Sequence, residues 1–243
     1  MSNREEYNEE NDIESMDQDI ESDELAETAK IKKYGSAILG IVVLIVLAFA
    51  GLNYMQDKEA KELEEATIKL ERVIPLLAQG QYQAALEGGS PQANGQPLVG
   101  LRQIADSYSS IEAGKTASFY TAKAMVELGN TNDAISYFQN ATSSESDIIK
   151  VGSHAGLAMI NELKSDWVAA ADNYVKASAN LNYTVKKTQY LYFAGNSYEK
   201  AGNTSKSEEM YRKVLKLNAK NTSDEFSSLS RAGLNRLGME FEL

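Results

Sequence analysis

The sequence has 243 residues and a formal net charge of -11 at pH 7, all of it carried by residues 1–29, which contain twelve acidic residues and one arginine. The rest of the chain balances 23 basic against 23 acidic side chains, which excludes the basic footprint of a nucleic-acid-binding protein. Cysteine is absent, so disulfides, thiolate nucleophiles and thiolate metal ligands are excluded.

Residues 1–33 form an acidic tail that we predict to be disordered, because few apolar side chains occur among many like charges. Ile13, Met16 and Ile20 follow helical spacing and would share one face if this segment folded against a partner. Two interpretations stay open: a solvated tail, and an acidic amphipathic peptide that docks in a cytoplasmic groove.

A membrane span is predicted at residues 34–54. No charged residue occurs from Tyr34 to Leu52, and a helix needs about 20 apolar residues to cross a bilayer. Lys30, Lys32 and Lys33 abut the span, and lysines beside a span favour the cytoplasmic side. We therefore expect an uncleaved single-pass anchor with the tail in the cytoplasm.

Residues 55–115 are predicted to hold a stalk helix and then a degenerate helical repeat. The segment from Asp57 to Gln79 is rich in Glu, Lys, Ala and Leu, which favour helix. The repeat starts at residues 79–86 but runs into residues 87–97, which are dense in Gly, Pro and Asn and are predicted to be an exposed loop. A helix is expected from about Leu98 to Tyr108.

An internal repeat occupies residues 116–221. Gly129, Ser165 and Gly202 are separated by 36 and 37 residues, and three further columns keep the same spacing. These columns are Ala134, Ala170 and Ser207; Phe138, Tyr174 and Tyr211; and Ala141, Ala177 and Val214. Small residues let paired helices approach, and the aromatic residue fills the gap towards the next pair. Residues 222–243 predict a capping helix, because a helix-start signal lies at residues 222–225.

The column pattern resembles the second helix of a tetratricopeptide repeat, and Gly195, Tyr198 and Gly202 stand at that family's spacing. The predicted fold class is therefore all-α, with a single transmembrane helix followed by a tetratricopeptide-repeat helical solenoid. The short arm, single span, charged stalk and terminal repeats make the chain similar in architecture to the ancillary Sec translocon subunit family. That resemblance implies a bacterial inner-membrane protein with a cytoplasmic N-terminus and a periplasmic repeat domain, which contacts translocon, chaperone or other envelope proteins.

The concave surface formed by the first helices is the predicted binding site, since helical-repeat arrays bind partners there. By repeat register the inward positions are Phe119, Lys123, Val126, Met159, Glu162, Tyr192, Asn196 and Glu199. This surface is partly aromatic and weakly charged, which suits extended peptides with apolar and polar residues. For each of these residues, packing against a neighbouring helix is the alternative.

No catalytic, cofactor-binding or metal site is expected. The only histidine, His154, has no second histidine to join it as a metal ligand, and the carboxylates are scattered rather than paired. Residues 113–116, Ala-Gly-Lys-Thr, look like the end of a phosphate-binding loop, but no predicted strand precedes them. Trp167, the only tryptophan, is expected to pack at the start of a second helix.

Two functions follow from these features. The first is a membrane-anchored protein-protein interaction module, accessory to protein translocation or to periplasmic chaperone networks. The second is a structural scaffold subunit of another envelope or energy-transducing membrane complex. We expect no enzymatic activity and no nucleic-acid partner.

Overall fold

The computed structural model describes residues 46–91, 97–179, 181, 184–219 and 224–240. In chain order the described elements are α1 (residues 46–78), α2 (Tyr82–Glu87), β1 (Gly88–Pro91), β2 (Pro97–Val99), α3 (Leu101–Ser107), α4 (Glu112–Glu127), α5 (Thr131–Ala141), α6 (Asp147–Leu163), α7 (Trp167–Ala179), α8 (Thr184–Lys200), α9 (Thr204–Leu217) and α10 (Glu225–Arg236). By its internal contacts the chain divides into two units, Met1–Lys58 and Glu59–Leu243.

The predicted tail, residues 1–33, and most of the predicted span, residues 34–54, lie outside the described residues. The described part of the span, residues 46–54, is helical and exposed. Among the helices that the structure describes, none combines the length and the apolar character that crossing a membrane requires.

The helices of the second unit are joined in pairs by turns of one kind. At the first predicted turn, the N–H of Gly129 donates to Val126 O and the N–H of Asn130 donates to Met125 O, a Schellman motif that ends α4. The same pattern and a positive φ recur at Gly80, Ser165 and Gly202, and a turn of this kind at Gly238 ends α10. Ser165 has φ 57°, a left-handed conformation that costs a non-glycine residue energy, so the fold imposes this turn on the serine. The tetratricopeptide-like helical fold predicted from the repeat is confirmed.

The repeated columns form the core between the helix pairs. The small-residue column (Ala134, Ala170 and Ser207) is 0% exposed throughout, and the aromatic column is at most 7% exposed. Ala141, Ala177 and Val214 are also 0% exposed. Close approach of the helices at the small residues therefore leaves gaps that the aromatic rings fill.

The segment from residue 87 to 97 is not simply the loop that the sequence predicts. β1 and β2 pair antiparallel, with Gly88 opposite Val99, so the all-α prediction omits a short hairpin; residues 92–96 lie outside the described part of the chain. A Cβ atom on Gly88 would lie 2.3 Å from Leu98 O, and one on Gly100 would lie 2.3 Å from Leu86 O. Only glycines permit this backbone contact, and the helix predicted from Leu98 therefore begins at Leu101.

The first helix of each pair, together with α10, runs in the same direction as its neighbours. Ala66 of α1 clusters with Ile111 and Ala113 at the start of α4, whereas Ala78 and Glu127 line one pocket at the other end of these helices. The carboxylate of Glu112, at the start of α4, accepts hydrogen bonds from residues 144–146, which precede α6. Further along, Glu162 of α6 contacts Ser197 of α8, and Glu199 of α8 contacts Arg236 of α10. The inward faces of α1, α4, α6, α8 and α10 therefore form one continuous surface.

Candidate binding groove

The eight predicted groove residues lie in three rows across α4, α6 and α8, because the spacings of 36 and 37 residues return each row to the same helix position. The first row contains Phe119 and Tyr192; the middle row contains Lys123, Met159 and Asn196; the third row contains Val126, Glu162 and Glu199. The three rows differ in how far their side chains are available to a partner.

In the third row, the carboxylate of Glu162 is engaged within the array. Tyr174 Oη donates to Glu162 Oε2 over 3.1 Å, and Ser197 Oγ donates to Glu162 Oε1 over 3.1 Å. The first contact joins α6 to its own second helix, and the second joins α6 to the next first helix. Both oxygens of Glu162 therefore stabilise helix packing.

Glu199 repeats this arrangement one period later, with a stronger partner. Tyr211 Oη donates to Glu199 Oε2 over 2.6 Å, and Arg236 Nε donates to Glu199 Oε1 over 2.8 Å. A second Arg236 nitrogen donates to Oε2 over 2.9 Å, so the arginine is bidentate. The bonds from Arg236 and Tyr211 lower the pKa of Glu199 against the opposing effect of burial. At the corresponding positions of the first repeat, Val126 and Phe138 lack both the acid and the hydroxyl.

The aromatic residues of the first row pack between successive helices. The ring centroid of Phe119 lies 5.3 Å from that of Tyr120 and 6.2 Å from that of Phe138. Tyr192 contacts the rings of Phe193, Tyr211 and Phe226 with centroid distances of 5.9 Å. Phe119 and Tyr192 are both half-buried, so each contributes packing as well as accessible surface.

The middle row is the most accessible of the three. Lys123 is exposed, with Nζ 5.6 Å from the centroid of the Phe119 ring, and Met159 is 38% exposed. Asn196 is half-buried. A cationic, an apolar and an amide side chain thus succeed one another along the groove, which is a mixed surface suited to a polypeptide.

A pocket of 300 Å³ adjoins Lys123, and the repeat pattern in the sequence did not predict it. It is lined by Ile74, Leu77, Ala78, Tyr82, Tyr120, Lys123, Ala124 and Glu127. The turn at Gly80 lies 49 residues before the turn at Gly129, which places Ile74 in the middle row and Leu77 in the third row. Gly80 was the signal that could have located this repeat. The inserted hairpin lengthens the repeat to 49 residues, so Gly80 falls outside the spacing of 36 and 37 residues.

The other candidate residues have structural partners. His154 Nδ1 lies 3.3 Å from Asn173 Oδ1, and burial lowers the pKa of this histidine. Lys200 Nζ lies 4.3 Å from the centroid of the Trp167 ring, a cation–π contact. Gly114 lies inside α4 with the carbonyl of Tyr108 against it, so residues 113–116 are the first turns of a helix. Within the described ranges, no group of three or more His, Cys, Asp or Glu residues could hold a metal ion.

Glu112 makes the stability of the array depend on pH. Burial opposes its charged form, but the bonds from Ser144 Oγ and from the N–H groups of Glu145 and Ser146 outweigh burial and lower the pKa of the carboxyl. The folded pKa lies below the unfolded one, so this contribution is present above the unfolded pKa and is lost as pH falls through the folded pKa.

We expect Glu112→Gln to lower the melting temperature at neutral pH and to flatten its fall on acidification. Circular dichroism melts from neutral to acidic pH measure both effects. The matched control is Glu145→Gln, because the backbone N–H and not the carboxylate of Glu145 joins this cluster. Parallel pH profiles for wild type and Glu112→Gln would show that the cluster does not couple pH to stability.

A comparison with known families places the repeats in context. A family model described as a tetratricopeptide repeat-like domain matches residues 31–238, a range that includes all three rows and the pocket. No curated protein matches the chain.

Proposed function

We propose that this chain, which belongs to the tetratricopeptide repeat-like domain family, is a protein-protein interaction module that binds an extended segment of a partner protein along its first helices. The observation that carries this proposal is the accessible middle row leading into the pocket beside Lys123. Ile74, Leu77 and Tyr120 offer an apolar site for one partner side chain, and Lys123 and Glu127 bring charges of both signs to it. We assign no catalytic step to this surface.

We further propose that residues 34–54 anchor the chain in the bacterial inner membrane, with the tail in the cytoplasm and the array in the periplasm. The charge-free run and the adjoining Lys30, Lys32 and Lys33 support this topology. Together with the resemblance to ancillary Sec translocon subunits, this arrangement makes translocon components and periplasmic chaperones the candidate partners.

A second candidate function is a structural subunit that scaffolds another envelope or energy-transducing complex. Leu163 is 68% exposed and Val168 is 46% exposed, at the end of α6 and the start of α7 respectively. Apolar side chains outside the groove are what a permanent subunit contact would cover. The two functions therefore place the protein contact on different surfaces.

Two double variants of the full chain distinguish these surfaces. Lys123→Glu with Met159→Glu alters the middle row. Lys164→Glu with Val168→Glu is the matched control outside the groove, because it also replaces one lysine and one apolar residue by glutamate; the four side chains are exposed. Each variant is purified in mild detergent from its native host, and co-purifying proteins are identified and quantified. We expect the groove variant to lose translocon or chaperone components and the other variant to retain them.

The opposite pattern would contradict the groove and support the scaffold. In that case the groove variant keeps its partners, whereas Lys164→Glu with Val168→Glu loses one stoichiometric complex. Because the four replaced side chains are exposed, both variants should melt close to the wild-type temperature.

A further inference from the structure

A second pocket, of 540 Å³, lies outside the groove where α7, α8 and α9 meet. It is lined by Val175, Ser178, Ala179, Lys187, Leu191, Lys213, Lys216 and Leu217. Three ammonium groups thus surround a largely apolar floor, although the chain beyond the tail has no net charge.

Two of these lysines are available to a ligand. Lys213 pairs with Glu209 over 2.7 Å, but Lys187 and Lys216 have no hydrogen-bond or ion-pair partner among the described residues. The neighbouring helices α6 and α10 carry acidic residues at their starts, Asp147 and Asp224 respectively. The three lysines of the pocket therefore come from the start of α8 and the last turns of α9.

Exposed aliphatic side chains accompany the lysines along the same edge of the array. Ile148 is 81% exposed and Val185 is 66% exposed, and they occupy equivalent positions, 37 residues apart, at the starts of α6 and α8. Leu217, at the rim of the pocket, is 42% exposed. Solvent-exposed aliphatic groups beside unpaired lysines are typical of surfaces that meet a lipid interface.

The chain enters the array at this edge. Ala66 of α1 clusters with Ile111 and Ala113, at the start of α4, and the starts of the first helices lie together because these helices run in the same direction. Only twelve residues separate Ala66 from residue 54, the end of the predicted span. Twelve residues span at most about 40 Å even when fully extended, so an anchor at residues 34–54 would tether this edge close to the bilayer surface.

We propose that this edge binds anionic phospholipid at the surface of the membrane in which the chain is anchored. Lys187 and Lys216 contact lipid phosphates, and Val185 and Ile148 enter the interfacial layer. Basic residues close to an anionic leaflet are attracted over a Debye length, which makes the contact dependent on lipid charge and on salt. This inference rests on the proposed membrane anchoring but not on the groove.

The absence of cysteine allows a direct test with single labels. Val185→Cys reports on the proposed edge, and Leu163→Cys reports on the opposite edge. The two wild-type side chains are 66% and 68% exposed, so the labels start from similar surroundings. Each full-length variant carries an environment-sensitive fluorophore. It is reconstituted in nanodiscs of phosphatidylcholine alone or with phosphatidylglycerol, each containing a headgroup-linked quencher. We expect strong quenching at position 185 in anionic discs only, and little at position 163 in either disc.

Charge variants test the role of the lysines. In the Val185→Cys background, Lys187→Gln with Lys216→Gln should reduce quenching to the level of the Leu163→Cys control, as should high salt. Lys164→Gln with Lys200→Gln, a matched pair at the other edge, should leave it unchanged.

Several outcomes would overturn the inference. A chain that inserts into discs but is quenched equally at positions 185 and 163 contradicts lipid contact at this edge alone. Equal quenching in neutral and anionic discs contradicts recognition of phosphate charge. A label at position 185 whose emission indicates an apolar environment, but whose quenching does not depend on lipid composition, shows that protein covers the edge. Failure of the wild-type chain to enter discs contradicts the anchoring itself, which separates failure of the proposed topology from failure of this contact.

Discussion

Ala170→Trp is expected to lower the free energy of unfolding by about 1–3 kcal/mol or more, because the indole has no room where α7 meets its neighbours. Ala170 is 0% exposed and belongs to the small-residue column, whose other members, Ala134 and Ser207, are also 0% exposed. A large ring there would separate α7 from its neighbouring helices and expose the aromatic residues between them. Urea unfolding of the full chain in mild detergent, followed by circular dichroism, measures the effect.

Ala84→Trp is the matched control, since Ala84 lies in α2 with its side chain exposed. We expect this variant to unfold within about 0.5 kcal/mol of the wild type, as exposed substitutions generally do. Equal losses for the two variants would show that the small-residue column does not mark the contact between helices.

Gly233→Ala is expected to destabilise the end of the array, although alanine is the better helix former by about 1 kcal/mol. A Cβ atom at position 233 would lie 2.4 Å from Tyr211 Cε2. The Tyr211 ring has no room to move. Tyr211 is 0% exposed, a Cβ atom on Gly195 would lie 2.7 Å from its Cε1 atom, and the Tyr211 hydroxyl donates to Glu199. We therefore expect a net loss of about 1–3 kcal/mol in unfolding free energy.

Gly152→Ala provides the opposite case within the same fold. A Cβ atom at position 152 would lie 2.7 Å from Phe119 Cε2, an outer atom of a half-buried ring that can rotate away. Alanine should therefore be neutral or stabilise α6 by up to about 1 kcal/mol. Denaturant midpoints for the two variants, compared with wild type, decide between these effects. A stabilised Gly233→Ala would mean that α10 is not held against Tyr211.

The helical pairs could be predicted from the sequence because each repeat restates the same packing constraint. Small residues at 134, 170 and 207, each with a turn-forming position five residues upstream, determine where two helices meet. The turn at Ser165 was identified by its spacing, even though serine rarely adopts φ 57°. Because the same spacing occurs in three repeats, it predicts the turn even where the residue at that position is unfavourable.

The hairpin and the first part of the groove could not be predicted in the same way, because each occurs once. Residues 87–97 contain the turn formers of a loop, and the pairing of β1 with β2 depends on backbone contacts at Gly88 and Gly100 that leave no periodic signal. The inserted segment also makes the first repeat longer than the others, so the repeat spacing does not place Ile74 and Leu77 beside Lys123, where the structure has them.

Repeat register identified the positions of the groove but not the use of each side chain. Glu162 and Glu199 occupy the predicted rows, yet their oxygens accept hydrogen bonds from neighbouring helices. Whether an inward carboxylate is available to a partner depends on residues 12 and 35 to 37 positions away, such as Tyr174, Ser197 and Arg236. The predicted groove residues stay a prediction as a binding site, with the middle row as their most accessible part.

Site-specific photocrosslinking in living cells tests the central claim, that a partner protein lies along the first helices. A photoreactive amino acid replaces Met159 in the middle row or, as the matched control, Val168 on α7; the two wild-type side chains are 38% and 46% exposed. We predict a discrete adduct with another protein from position 159 and none from position 168. Adducts from position 168 alone would contradict the groove as the site of protein binding.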